Sequence, residues 1–130
     1  MNDTKVTKGL EPVFVFGSNL RGIHGAGAAK WAVENRGAKY WQGQGYQGNS
    51  YAIPTKDENI ETLSLERINE YVKIFLVFAE QYPEIPFQLT PIGCGLAGLT
   101  PAQIAPMFEG APSNVQLPLE FIEVLYGDIE

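Results

Sequence analysis

Two short apolar runs in this chain each lead directly into a glycine-rich loop, and this arrangement limits its possible folds most strongly. The first run, residues 13–16, is Val-Phe-Val-Phe, and glycines follow at positions 17, 25 and 27. The second run, residues 87–92, is followed by glycines at positions 93, 95 and 98. Short apolar runs rich in β-branched and aromatic residues are typical of buried strands. Both segments therefore predict a strand that ends in a glycine loop.

The segments after these loops favour helices. Residues 25–34 begin with very small residues and suit a helix that Gly37 ends. Apolar residues recur every three or four positions across 64–82, which predicts a longer helix. Thr100 is placed to cap a short helix with Pro101 in its first position, where the missing N–H costs nothing.

Two more strands complete the predicted order. Residues 41–49 suggest a tight turn into a strand at 50–53, which Pro54 is expected to close because proline cannot donate to a ladder. Residues 114–117 suggest a last strand. Strands that alternate with helices predict an α/β fold with a mainly parallel sheet covered on both faces.

The size and composition of the chain predict one cytoplasmic domain spanning residues 1–130. The first 11 residues lack periodicity and are expected to form a loosely ordered start. The longest near-continuous apolar stretch, residues 74–79, is far shorter than the roughly 20 residues of a membrane helix. A single cysteine cannot form an internal disulfide, and the N-terminus lacks an apolar signal core.

The charge of the chain is distributed unevenly. The net charge of −6 argues against binding duplex nucleic acid, because such affinity comes from Lys and Arg on phosphates. Up to Lys56 there are seven Lys and Arg against three Asp and Glu, and after it two against twelve. This asymmetry fits a small anionic ligand near the first half, and it fits equally an acidic solvent face on a long helix.

Ligands of open α/β sheets gather at the carboxyl ends of the strands, so residues 17–27, 55–57 and 93–98 are expected to share one cleft. Glycines let the backbone approach a phosphate, and a helix N-terminus adds a favourable dipole. A single glycine loop would more simply be a tight turn. Two such loops, each between a strand and a helix, favour an anion-binding site.

Several side chains near these loops have both a functional and an ordinary interpretation. Asn19 suits a ribose hydroxyl or could cap its own turn. His24, the one histidine, could transfer a proton but lacks a visible partner, and Cys94 has no adjacent base, so its small size explains it better. Lys56 could bind phosphate or act as a nucleophile, or could pair with an acid. Trp41 and Tyr46 could stack on a base or serve as packing lids.

Three segments together resemble the loops of macrodomains. They are residues 16–19 with 25–29, the strand of residues 51–56 that ends in lysine, and the Ile-Gly-Cys-Gly-Leu sequence at 92–96. The branch with the greatest similarity is the terminal ADP-ribose protein glycohydrolases. The resemblance covers about residues 13–118, and its last motif is the most specific. It implies a three-layer α/β/α macrodomain-like fold.

The resemblance also implies roles for residues. Gly25, Ala26 and Gly27 would lie against the distal ribose and the diphosphate, and Lys56 would stand where the family has a lysine that attacks the ribose anomeric carbon. The family's assisting aspartate corresponds to Ala97, which cannot transfer a proton. Asp57 is the candidate to replace it.

The resulting hypothesis is a cleft that binds ADP-ribose or a related ADP-ribosyl nucleotide, free or attached to a macromolecule, with hydrolysis by Lys56 as one possibility. The alternative is a non-catalytic module that sequesters a nucleotide signal or contacts a protein. No metal, cofactor or membrane contact is expected. The predicted catalytic residues are Lys56 and Asp57, and the predicted ligand-binding residues are Gly17, Ser18, Asn19, His24, Gly25, Ala26, Gly27, Thr55, Gly93, Cys94, Gly95 and Leu96.

Overall fold

The computed structural model describes residues 11–127, which form one mixed sheet with helices against it. Its five strands stand in the order β2-β3-β1-β4-β5, with β2 antiparallel to β3 and all other neighbours parallel. The predicted α/β class and mainly parallel sheet are confirmed. The strands are β1 Val13–Asn19, β2 Gly45–Gln47, β3 Ser50–Lys56, β4 Phe87–Leu89 and β5 Val115–Gln116. The prediction for residues 1–11 lies outside the described residues, except for Glu11.

Four α-helices connect or follow these strands, and the predicted Thr100 cap is present, together with a cap at Ser64. Ser64 accepts a hydrogen bond from the Arg67 N–H at the start of α2, and Thr100 with Gln103 forms a capping box at the start of α3. No helix in residues 11–127 has the length and apolarity that a membrane crossing requires. The helices are α1 Gly27–Asn35, α2 Leu65–Gln81, α3 Pro101–Ile104, which a 3-10 helix Ala105–Phe108 continues, and α4 Leu119–Tyr126.

The side chains of β1 alternate between two separate cores, so the sheet has helices on both faces. Val13 and Val15 belong to a large core that includes Phe75 of α2. Phe14 and Phe16 belong to a smaller core with the alanines of α1. Since successive strand residues point to opposite faces, this alternation places the sheet between two helical layers.

Four details differ from the sequence-based expectations. Pro54 does not end β3. Strand β2 pairs only with residues 50–52, so the missing N–H of Pro54 interrupts no hydrogen bond between β2 and β3. Residues 41–49 contain the short strand β2 as well as a turn. The strand predicted over 87–92 stops at Leu89. The N–H and the hydroxyl of Thr90 both donate to the Val15 carbonyl, and Pro91 has no N–H to continue the ladder. Helix α4 was not predicted.

Candidate functional site

The carboxyl ends of β1 and β3 and the loop after β4 surround one cleft of about 520 Å³. This is the place where parallel α/β sheets bind ligands, because the loops there leave the sheet in different directions. The three segments that the sequence singled out are therefore neighbours. The cleft is lined by Gly17, Ser18, Asn19, Ile23, residues 25–29, Thr55, Lys56, Ile60 and residues 90–97.

One wall of the cleft is the N-terminus of α1. Ala26 is the N-cap residue with extended backbone, and no side chain of residues 11–127 caps the helix. The N–H groups of Gly27, Ala28 and Ala29 have no intrahelical acceptor, and no other group in the described chain accepts from them. The first turn has no acidic residue. These free donors and the helix dipole together make this wall attractive to an anion.

The opposite wall is the loop after β4. Gly93 has a φ of 77°, a left-handed conformation that favours glycine, and its carbonyl accepts the Leu99 N–H at 2.8 Å. The Gly98 N–H closes a turn on the Gly95 carbonyl at 3.0 Å. The N–H groups of Gly95, Leu96 and Ala97 donate to no acceptor among residues 11–127. Both segments thus line the cleft and contain backbone N–H groups that have no acceptor within the described chain.

Lys56 lies at the end of β3 and lines the cleft between these walls. Its backbone carbonyl accepts the Leu20 N–H at 2.9 Å, which fixes the main chain. In the described part of the chain its ammonium makes neither an ion pair nor a hydrogen bond. The surface ion pair that the sequence left open is therefore absent from residues 11–127, and the amine is available to a ligand.

Three polar residues of the cleft are bonded within the protein. The Asn19 amide donates to the Ile23 carbonyl at 2.8 Å and accepts the Ile23 N–H at 3.0 Å, so it caps its own turn, as the alternative interpretation held. The Ser18 hydroxyl donates to the Gly43 carbonyl. The Thr55 hydroxyl donates to the Ser18 carbonyl at 3.3 Å. These contacts hold the strand ends together and shape the cleft floor.

Two predicted site residues lie outside the cleft lining. His24 is fully buried, packs edge-on to Phe16, and its Nε2 is 3.0 Å from the Gln42 carbonyl. Since a ring nitrogen can meet a carbonyl only as a donor, Nε2 carries the proton and the buried Nδ1 has no partner in the described structure. The Asp57 carboxylate accepts the N–H groups of Asn59 and Glu61. It stabilises its own turn, and Asp57 is not among the residues that line the cleft with Ala97.

Cys94 lines the cleft, but its surroundings do not activate the thiol. Burial, and secondly the negative charge of Glu120, raise the pKa of Cys94 above its ordinary value. Its Sγ lies 3.5 Å from the Ile92 carbonyl. Because the thiolate is the nucleophilic form, this environment agrees with a small packing residue.

Beyond the predicted site residues, the cleft lining includes Ile23, Ala28, Ala29, Ile60, Thr90, Pro91, Ile92 and Ala97. Ile60 has a positive φ of 63°, which the sequence does not indicate. Trp41 and Tyr46 do not line the cleft: Tyr46 stacks on Phe78, and Trp41 is 72% exposed. Among residues 11–127, no group of three His, Cys, Asp or Glu side chains could hold a metal ion.

Comparison with known proteins returned no relative: no family model, no curated protein and no solved structure matches the chain.

Proposed function

We propose that the cleft binds ADP-ribose or a closely related ADP-ribosyl nucleotide, with the diphosphate between the two walls of free N–H groups. The main support is the N-terminus of α1, where Ala26 provides no side-chain cap and which lines the same cleft as the loop of residues 93–97. A diphosphate has oxygens on two phosphorus atoms and can accept from both walls at once. The resemblance of the three loops to those of macrodomains supports the same ligand.

The size of the cleft favours a nucleotide over a simple anion. Its volume of about 520 Å³ is within the range of about 300–1,000 Å³ that small-molecule sites occupy. A single phosphate would leave most of this space unfilled. Several lining side chains, including Ile23 and Ile60, are apolar and would contact the sugar and base rather than the phosphates.

Lys56 is the candidate nucleophile, by its position in the resemblance and because its ammonium is not paired within the described residues. In that role the Lys56 amine, once deprotonated, would attack the ribose anomeric carbon as the bond to the leaving group breaks. No Asp or Glu among residues 11–127 lines the cleft, however, so none of the described carboxylates there can transfer a proton to that leaving group. This absence favours a second candidate function, in which the protein holds the nucleotide without hydrolysing it.

Titration calorimetry with ADP-ribose, and with AMP and NAD as controls, tests the binding proposal in the cytoplasmic pH range. Micromolar affinity selective for ADP-ribose is the expected result, and no binding to any of the three would refute the proposal. Analysis of the recovered ligand and of an ADP-ribosylated substrate for breakdown then separates the two functions. If product forms, Lys56→Ala should abolish turnover and retain binding. If the protein only binds the nucleotide, neither the wild type nor Lys56→Ala should form product.

A further inference from the structure

Helix α2 has apolar side chains on the face that points away from the sheet as well as on its buried face. Its buried residues Ile68, Val72 and Phe75 recur at the spacing of one helix face and belong to the large core. Ile74 and Val77 lie on the opposite side of the helix, where they are 50% and 55% exposed. Because residues three apart on a helix are neighbours, these two side chains form one apolar surface, here called the α2 patch.

Polar and charged side chains of both signs surround the α2 patch. Lys73 and Glu80 lie on the same flank of the helix, because seven residues make about two turns. Both side chains are exposed, and neither makes an ion pair within residues 11–127. Glu70 precedes the patch by one turn, and the uncharged Gln81 follows it by one turn. The patch therefore has a free cation and a free anion beside it, at different distances along the helix.

This arrangement is complementary to itself when two copies of α2 pack antiparallel. A two-fold axis that passes midway between Ile74 and Val77 places Ile74 of each copy opposite Val77 of the other. By the same symmetry, Glu70 of each copy meets the uncharged Gln81 of the other. A parallel pair would instead bring Glu70 against Glu70 of the second copy, and such a like-charge contact is unfavourable.

The antiparallel arrangement also brings Lys73 of each copy close to Glu80 of the other. A two-fold axis perpendicular to both helices keeps the two residues on the same flank of the contact. Since a helix rises about 1.5 Å per residue, Glu80 of the second copy lies about 3 Å along the helix from the point directly opposite Lys73. The long lysine side chain can span that offset while its stem packs on the α2 patch. The symmetry produces two such pairs.

We infer that the outer face of α2 is a dimerisation surface, and that its partner is a second copy of this chain packed antiparallel. The two α2 patches bury each other, and two Lys73–Glu80 pairs fix the register. No residue of α2 lines the cleft, so this inference is independent of the proposed function.

Helix α4 shows why exposed apolar residues alone do not predict self-association. Leu119 and Tyr126 of α4 are 63% and 64% exposed, more than the residues of the α2 patch. Both charged residues of this helix, Glu120 and Glu123, are acidic and exposed. Two copies that packed through α4 would therefore bring like charges together, whereas α2 offers opposite charges.

Sedimentation equilibrium of the full chain, over a dilution series from about 1 µM to about 1 mM, tests the inference. One helix from each copy forms a contact at or below the about 1,200–2,000 Å² of stable interfaces, so a dissociation constant of about 10–100 µM is expected. A variant with both Ile74→Gln and Val77→Gln should weaken the dimer at least about tenfold, because Gln favours helices and removes the apolar contact. Leu119→Gln is the matched control on α4 and should leave the dissociation constant unchanged.

Exchange of the charges tests the antiparallel register. Lys73→Glu and Glu80→Lys each convert both ion pairs of the dimer into like-charge contacts, so each variant alone should associate about tenfold more weakly than wild type. An equimolar mixture of the two variants should regain the wild-type dissociation constant, because the mixed dimer has opposite charges at both contacts. A defect within the helix of either variant could not be repaired by mixing.

Each outcome decides between this surface and the alternatives. A wild-type chain that stays monomeric at about 1 mM would overturn the inference. A dimer that the double Gln variant leaves intact would overturn the role of α2, and a mixture that associates no better than its components would overturn the register. ADP-ribose affinity should be equal in the wild type and all these variants, since α2 lies outside the cleft lining. Absence of ADP-ribose binding would overturn the proposed function and leave the dimer intact.

Discussion

Replacing Ala26 with Asp should make the fold more stable and nucleotide binding weaker, because the two properties compete for the same N–H groups. Ala26 is exposed, has extended backbone at the N-cap of α1 and provides no side-chain acceptor. An Asp there can accept from the first-turn N–H groups, which contributes about 1 kcal/mol. For a chain of 130 residues this corresponds to a rise in Tm of about 3–4 °C.

The same carboxylate would stand where the diphosphate is proposed to bind. Two unit charges about 5 Å apart repel by about 3 kcal/mol at an effective dielectric constant of about 20. If solvent screening halves this energy, about 1.5 kcal/mol remains. Affinity for ADP-ribose should therefore fall by about ten- to a hundredfold, measured by titration calorimetry, while Tm rises in differential scanning calorimetry.

Ala26→Asn is the matched control, because Asn caps a helix about as well as Asp and has no charge. It should raise Tm similarly and weaken the affinity for ADP-ribose by no more than about fivefold. Asn competes for the first-turn N–H groups but does not repel the ligand. Unchanged affinity of Ala26→Asp, accompanied by a higher Tm, would show that the anion does not bind at this helix end. A lower Tm in both variants would refute the capping argument.

Three other predictions follow from the same structure. Gly43→Ala should lower Tm by several degrees and weaken ADP-ribose, because a Cβ at position 43 would lie 2.2 Å from the Asn19 carbonyl oxygen; a Tm equal to wild type would contradict this close approach. Burial raises the pKa of Tyr51 to about 12, so its contribution to stability is complete below pH 10 and falls by at most about 2.7 kcal/mol as the pH rises to 12. The free energy of unfolding of Tyr51→Phe, measured by chemical denaturation between pH 10 and 12, should lack this part of the decline. Parallel curves of free energy against pH for the two proteins would refute the prediction. Cys94 should react with iodoacetamide at pH 8 more slowly than a free cysteine, and Glu120→Gln should accelerate the reaction; a faster wild-type rate would contradict the raised pKa.

Local sequence was sufficient for the elements that depend on local physics. The apolar run of β1, the three-and-four spacing of α2 and the Thr100–Pro101 start of α3 each predict structure from neighbouring residues, and the structure confirms them. The glycine loops were located in the same way. Since the carboxyl ends of parallel strands share one edge of a sheet, the sequence also anticipated that these loops would surround one cleft.

Only the tertiary structure decided what the polar side chains near the cleft contact. Asn19 and Asp57 have hydrogen-bonding capacity that suits a ligand, but the fold supplies them with backbone partners first. His24 is adjacent to the cleft loop in sequence and is nevertheless buried against Phe16. Ile60 lines the cleft and has a positive φ of 63°, neither of which its sequence neighbours indicate. A hydrogen bond or a packing contact depends on distances of a few ångströms between distant parts of the chain, whereas spacing along the sequence limits only what adjacent residues can do.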